Sequence, residues 1–204
     1  NAEKRLEWFE NAVALDKVKR AATLKSEIEF VRERAEKMKI IRRLGREGSI
    51  PLRITHNDTK FNNILLDKND RALCLIDLDT VMPGYVHYDF GDAIRTAANV
   101  AAEDEKDLSK IRMDINLFKA YAEGYLSETR ATLNAVEKEY LAFAPILITF
   151  VQAVRFLTDY LDGDNYYKIH HEHHNLQRTR AQIRLVESME EQYGRMQEII
   201  TRSA

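Results

Sequence analysis

Asn63 and Asp77 stand at the outer ends of a short reversal of the chain, and that reversal constrains the fold more than any other feature of the sequence. Asn63-Ile64-Leu65-Leu66-Asp67 and Ala72-Leu73-Cys74-Leu75-Ile76 are apolar runs separated by Lys68-Asn69-Asp70-Arg71, a polar group of turn formers. This pattern predicts a β-hairpin. A hairpin returns its second strand to the start of its first, so Asn63 and Asp77 are brought together and can share one cation. Ahead of the hairpin runs Ile54-Thr55-His56-Asn57-Asp58-Thr59-Lys60-Phe61-Asn62, and behind it Leu78-Asp79.

These residue types suit one kind of chemistry. Phosphoryl transfer from ATP spreads negative charge over oxygens that are already anionic, so catalysis rests on positioning and on neutralisation by Mg2+ and cationic side chains. Mg2+ takes one or two hard oxygen ligands from protein and fills its octahedron with water and phosphate. Asn63 and Asp77 fit that role, and Asp79 is placed either to bind a second ion or to cap a turn. Asp58 is the candidate base beside the attacking hydroxyl. Lys60 can meet the transferred phosphate as a point charge. Taken singly, a His-x-Asp tripeptide or an Asp at a strand end is an ordinary turn feature; the joint arrangement carries the reading.

His56-Asn57-Asp58-Thr59-Lys60-Phe61-Asn62-Asn63 with Ile76-Asp77-Leu78-Asp79 resembles the aminoglycoside phosphotransferase and choline kinase superfamily, whose fold is similar to that of protein kinases. Thr80-Val81-Met82-Pro83-Gly84, Tyr88-Asp89-Phe90-Gly91-Asp92, Arg155-Phe156-Leu157-Thr158-Asp159-Tyr160-Leu161 and Gly163-Asp164 look like its N-acetylhexosamine 1-kinase branch. The resemblance implies ATP and Mg2+, with the anomeric hydroxyl of N-acetylglucosamine or N-acetylgalactosamine as acceptor. It also implies Asp58 as catalytic residue, Asn63 and Asp77 as metal ligands, and His56 as a brace for the catalytic loop. Asp92, Arg95, Arg155 and Tyr166 become candidates for contacting the sugar. The spacings of Asp92 with Arg95 and of Arg155 with Asp159 serve surface ion pairs on a helix equally well.

A kinase of this type also needs a glycine-rich strand pair over the ATP phosphates and a Lys on the α and β phosphates. The seven glycines are scattered, no G-x-G-x-x-G occurs, nothing before Pro51 reads as a strand, and the chain begins at Asn1 without an initiator Met. The expectation is a C-terminal lobe alone, with the nucleotide-clamping N-terminal lobe upstream in the same polypeptide. No turnover is expected of these 204 residues by themselves.

The fold class expected is α+β, predominantly helical: the C-terminal lobe of a protein-kinase-like fold with a small β-hairpin carrying the catalytic residues. The 204 residues, 45% hydrophobic and 31% charged, suit a single domain, and seven Gly with three Pro favour long helices. Within it, 1–50 is a helical segment, 51–80 the catalytic loop and hairpin, and 81–204 a helical acceptor-binding part. A net charge of −2 gives no reason to expect nucleic acid as a partner. The apolar run 143–151 contains Pro145 and is too short to span a membrane, so a cytoplasmic location and no membrane partner are the default expectations. Cys74, the only cysteine, is expected as a small buried hydrophobe in the second strand.

Leu24, Ile28, Val31, Ala35 and Met38 alternate at four and three and line one stripe of a helix that packs on the lobe before Gly45 and Gly48 stop it. Leu6, Phe9, Val13 and Val18 suggest an earlier helix, joined to it near residues 21–25, and part of this apolar surface is expected to face the upstream lobe. Helices are expected over 89–100, 113–129, 135–161 and 176–202, with breaks at 102–110 and 163–175, Pro145 kinking or restarting the third, and Asn175 as N-cap of the last. His170-His171-Glu172-His173-His174 reads as a solvated loop, since adjacent side chains rarely converge on one ion. Tyr166 and Tyr167 offer aromatic faces to a sugar ring.

Three functions fit the sequence: an N-acetylhexosamine kinase; a kinase of another small alcohol such as choline, an aminoglycoside or homoserine; and a non-catalytic helical sugar-binding or regulatory lobe. The acceptor pocket, not the catalytic loop, separates the first two.

Overall fold

The computed structural model describes residues 2–204. Three helices open the chain, α1 Ala2–Leu15, α2 Lys25–Arg34 and α3 Ile40–Arg46, linked by 3-10 turns at Ala21–Thr23 and Lys37–Lys39. Four short strands follow: β1 Arg53–Thr55, β2 Ile64–Leu66, β3 Ala72–Leu75 and β4 Met82–Gly84. Then come α4 Val86–Ala97, α5 Ile115–Thr129, α6 Ala135–Glu139, α7 Ala144–Asp162, α8 His174–Glu191 and α9 Tyr193–Ser203. The predominantly helical α+β class expected from the sequence is what forms.

The centre of the lobe is α7, which packs against α1, α4 and α8. Its Phe150, Val154, Leu157 and Leu161 are buried together with Phe9 of α1 and Phe90 of α4. Close approach of α4 and α7 depends on Gly91, where a Cβ would fall 2.5 Å from the Ala144 carbonyl oxygen. This one helix is long and apolar enough to cross a membrane by length and composition, because the run expected to stop short continues to residue 162; most of it is buried inside the domain as its core. The stripe Leu24, Ile28, Val31 and Met38 is likewise buried, with Ala35 partly so.

The hairpin forms between β2 and β3, antiparallel, with Ile64 opposite Leu75 and an irregularity at Leu65–Leu66. A second ladder went unread in the sequence: β1 pairs antiparallel with β4, Arg53 opposite Gly84 and Thr55 opposite Met82. Gly84 is required in this ladder because a Cβ there would collide with the Thr55 hydroxyl.

Within 135–161 the restart expected at Pro145 occurs: the chain leaves the helix at Tyr140 and begins α7 with Pro145 in its first turn. Several other expectations are corrected. Residues 176–202 also divide, at Gln192. Asn175 does not cap α8: the helix begins at His174, after His173 in the left-handed region. Its amide instead donates to Asp159 and Asp164 at 2.8 and 2.9 Å. Cys74 is exposed, since no element covers that face of the hairpin. Exposed large apolar side chains remain in the opening segment, at Trp8, Leu15 and Val18, and more lie in the hairpin region, with Ile54, Leu73, Leu75 and Leu78. The histidine segment is only partly solvated, for His174 is buried and lies 3.0 Å from Asp104.

Candidate active site

The loop between β1 and β2 is held from below by one carboxylate. Asp89, in the first turn of α4, accepts the backbone N–H of His56 at 2.8 Å and of Asn57 at 2.7 Å. Its own carbonyl accepts the Thr59 hydroxyl at 2.6 Å. Burial pushes the Asp89 carboxyl up, and the two N–H donors offset only part of that. From the other side, the Thr80 hydroxyl donates to the His56 carbonyl at 2.6 Å, and the Asn57 amide donates to the Thr80 carbonyl at 3.1 Å. His56 is buried, with Nε2 3.0 Å from the Ile76 carbonyl. A carbonyl only accepts, so Nε2 carries the proton and the ring ties the loop to the end of the hairpin. Asn57 and Asp77 both adopt the left-handed backbone region, at φ 64°, which Asn and Asp tolerate better than most residues.

This scaffold gathers four of the predicted residues. The Lys60 ammonium donates to Asp58 Oδ2 at 2.7 Å and lies 3.7 Å from Asp77 Oδ2. The Asn63 amide donates to Asp58 Oδ2 at 3.0 Å, to the Asp58 carbonyl at 2.8 Å and to Asp77 Oδ2 at 3.4 Å. Burial raises the Asp58 pKa, but hydrogen bonds from Lys60 and Asn63 outweigh it and hold the carboxyl below its usual range. Lys60 is raised, first by its bond to Asp58. Asp77 is raised by its hydrogen bond with, and repulsion from, Asp79. Two carboxylates set against one another, with an amide alongside and only Lys60 to compensate Asp77, form the hard oxygen donor set that suits Mg2+. Among the described residues no group of three or more His, Cys, Asp or Glu converges on one point, a number Mg2+ does not require.

Asp58 opens onto a cavity of about 400 Å3 that Asp92, Arg95 and Arg155 also line. Three of the four acceptor-side candidates therefore share a cavity with Asp58. Tyr166 does not: it is 73% exposed and lines a neighbouring cavity. Arg95 is held between Asp92 at 3.0 Å and Glu103 at 2.8 Å, whereas Arg155 donates to Gln152 at 3.0 Å and makes no ion pair with Asp159. Asp159 is instead a buried acceptor for the N–H groups of Asn165, Tyr166 and Tyr167. Sequence reasoning missed Asp89, although it quoted the Tyr-Asp-Phe-Gly-Asp stretch containing it. It also missed Arg42 and Tyr88 as cavity walls, for which no local signal exists.

A left-handed Asp at a hairpin end stands beside a loop Asp, Lys and Asn, next to a cavity lined in part by helical residues. The phosphotransferase enzyme family, APH, matches residues 2–136, and the chain belongs to that family.

Proposed function

We propose that this chain carries the catalytic lobe of a kinase that moves the γ-phosphoryl group of ATP to a hydroxyl of a small molecule, and that the hydroxyl is the anomeric one of N-acetylglucosamine or N-acetylgalactosamine. The observation that carries the reading is Asp58. Its carboxylate opens onto the acceptor cavity on one side and is bonded on the other to Lys60 and Asn63, which also reach Asp77.

In this reading Asp58 accepts the hydroxyl proton late, as the acceptor oxygen bonds to the γ-phosphorus and the bond to the β-phosphate oxygen breaks, releasing ADP. A carboxylate held below its usual pKa is a weak base, which suits a role in orienting the hydroxyl and taking its proton only when transfer is advanced. Lys60 would meet charge on the transferred group. Asn63 and Asp77, with Asp79 beside them, would hold Mg2+, which when bound neutralises the phosphates. His56 braces the loop.

Of the three arginines on the acceptor cavity, Arg42 and Arg95 are paired with acids, while Arg155 has no acid partner among the described residues; an unpaired cation there favours a neutral sugar over polycationic aminoglycosides and choline. The exposed apolar face of Ile54, Leu73, Leu75 and Leu78 suits cover by an N-terminal lobe of the same polypeptide. Use of ATP fits a cytoplasmic location. The test is an ADP-release screen of the complete polypeptide over N-acetylhexosamines, choline, homoserine and aminoglycosides. Release stimulated by N-acetylhexosamines is expected; stimulation by another alcohol alone would move the acceptor assignment, and none by any would overturn it.

A further inference from the structure

Beside the acceptor cavity lies a second one, of about 480 Å3, formed by Arg5 and Trp8 of α1, Arg155 of α7, and Tyr166 and Tyr167 of the loop that follows. Arg155 lines both, so the two cavities adjoin at this residue. We propose that this second cavity holds an anionic group of the acceptor, so that the preferred substrates are N-acetylhexosamines bearing a phosphate or carboxylate away from the reacting hydroxyl. The proposal rests on the kinase reading given above.

Arg5 and Arg155 bring uncompensated positive charge to this cavity. Arg5 lies 4.7 Å from the Trp8 ring and Arg155 5.4 Å from the Tyr167 ring. Among the described residues neither guanidinium has a carboxylate within ion-pair distance. Elsewhere in the lobe partly buried arginines sit on acids, as Arg53 does on Glu137, Arg34 on Glu190 and Arg20 on Asp164. The Nε of Arg155 is buried without a partner, and its Nη1 meets only Gln152.

The two acids that face this cavity are already engaged. Asp162 pairs with Lys17 at 2.9 Å. Asp159 takes three loop N–H groups and the Asn175 amide. Burial first, and then the neighbouring Arg155, lower the pKa of Arg5. An oxyanion placed there would relieve the repulsion, receive donors from both guanidiniums, and leave the aromatic faces for the sugar ring.

The test is calorimetric binding to the complete polypeptide, comparing N-acetylglucosamine with its 6-phosphate and with its 6-carboxylate analogue, N-acetylglucosaminuronate. At least one anionic form is expected to bind about tenfold tighter than the neutral sugar, and the tighter of the two names the group. Arg5→Gln and, separately, Arg155→Gln should erase most of that advantage, while Arg5→Lys keeps part of it. Equal binding of all three sugars, binding of none, or an advantage that survives both glutamine variants would overturn the proposal. Because the readout is binding, failure of phosphoryl transfer would show separately, as missing ADP release.

Discussion

The backbone N–H of Asn57 donates to the Asp89 carboxylate at 2.7 Å, a bond that joins the loop between β1 and β2 to the first turn of α4. The same carboxylate takes the His56 N–H. Position of Asp58, the next residue, is therefore set by a group that does not itself line the cavity. An Asn at position 89 has one accepting oxygen and must present an NH2 to one of the two N–H donors. For Asp89→Asn in the complete polypeptide we expect kcat to fall roughly 10- to 100-fold with KM changed only a few-fold, since small misplacements of reacting groups cost rate on this scale. Steady-state kinetics check it; an unchanged kcat would remove Asp89 as a positioning residue.

His87 supplies a pH-dependent element of stability. It is fully buried on α4, its Nε2 is 3.0 Å from the Glu137 carbonyl, and burial lowers its pKa from 6.5 to about 4. The unfolded chain thus takes up a proton near pH 6.5 that the folded chain refuses until about pH 4. Its contribution is complete above pH 6.5 and declines as pH falls towards 4, by roughly 3 kcal/mol in all. Urea unfolding of the chain at several pH values should show this slope. In His87→Gln, whose amide can still donate to the carbonyl, the slope should largely disappear.

Glu137 closes a capping box with Asn134 at the start of α6 and takes two bonds from Arg53, at 2.7 and 2.8 Å. Burial alone would raise its pKa; Arg53 and the Asn134 N–H overcome that and hold it below the usual range. Removing Arg53 strands a buried carboxylate and frees β1 from α6. Arg53→Met should cost about 3 kcal/mol or more. Arg53→Met with Glu137→Gln should recover part of it, as measured by denaturant titration. Equal losses in single and double variants would show that the pair does not couple.

Gly91 tests the packing of α4 on α7. A methyl group there meets the Ala144 carbonyl at 2.5 Å and the Ile148 Cγ1 at 2.7 Å, and a helix backbone cannot yield as a side chain does. Gly91→Ala is expected to destabilise by about 1–3 kcal/mol despite its better helix propensity. A stability gain would mean the two helices can separate freely.

Much of this was legible in the sequence, and what was not has identifiable reasons. The hairpin was readable because polar turn formers split two apolar runs, and with it came the convergence of Asn63 and Asp77. Residue type alone placed Cys74 inside, but those strands have no covering layer, and an apolar run cannot announce that its partner is elsewhere. Pro83 and Gly84 concealed β4, for a strand of three residues is fixed by its partner Arg53–Thr55 rather than by its own propensity. Asp89 was in plain view, yet its role consists of bonds to backbone N–H groups more than thirty residues earlier, which leave no local pattern. Arg5 and Trp8 reach the neighbourhood of Arg155 only because α1 packs on α7.

The central claim, that Asp58 serves phosphoryl transfer to a hydroxyl, is tested most directly by Mg2+-dependent ADP release from the complete polypeptide and its Asp58→Asn variant, each with and without N-acetylhexosamine. The account predicts acceptor-stimulated release that drops about 10^2- to 10^4-fold in Asp58→Asn while ATP affinity is retained. Stimulated release of similar size from both proteins would contradict it.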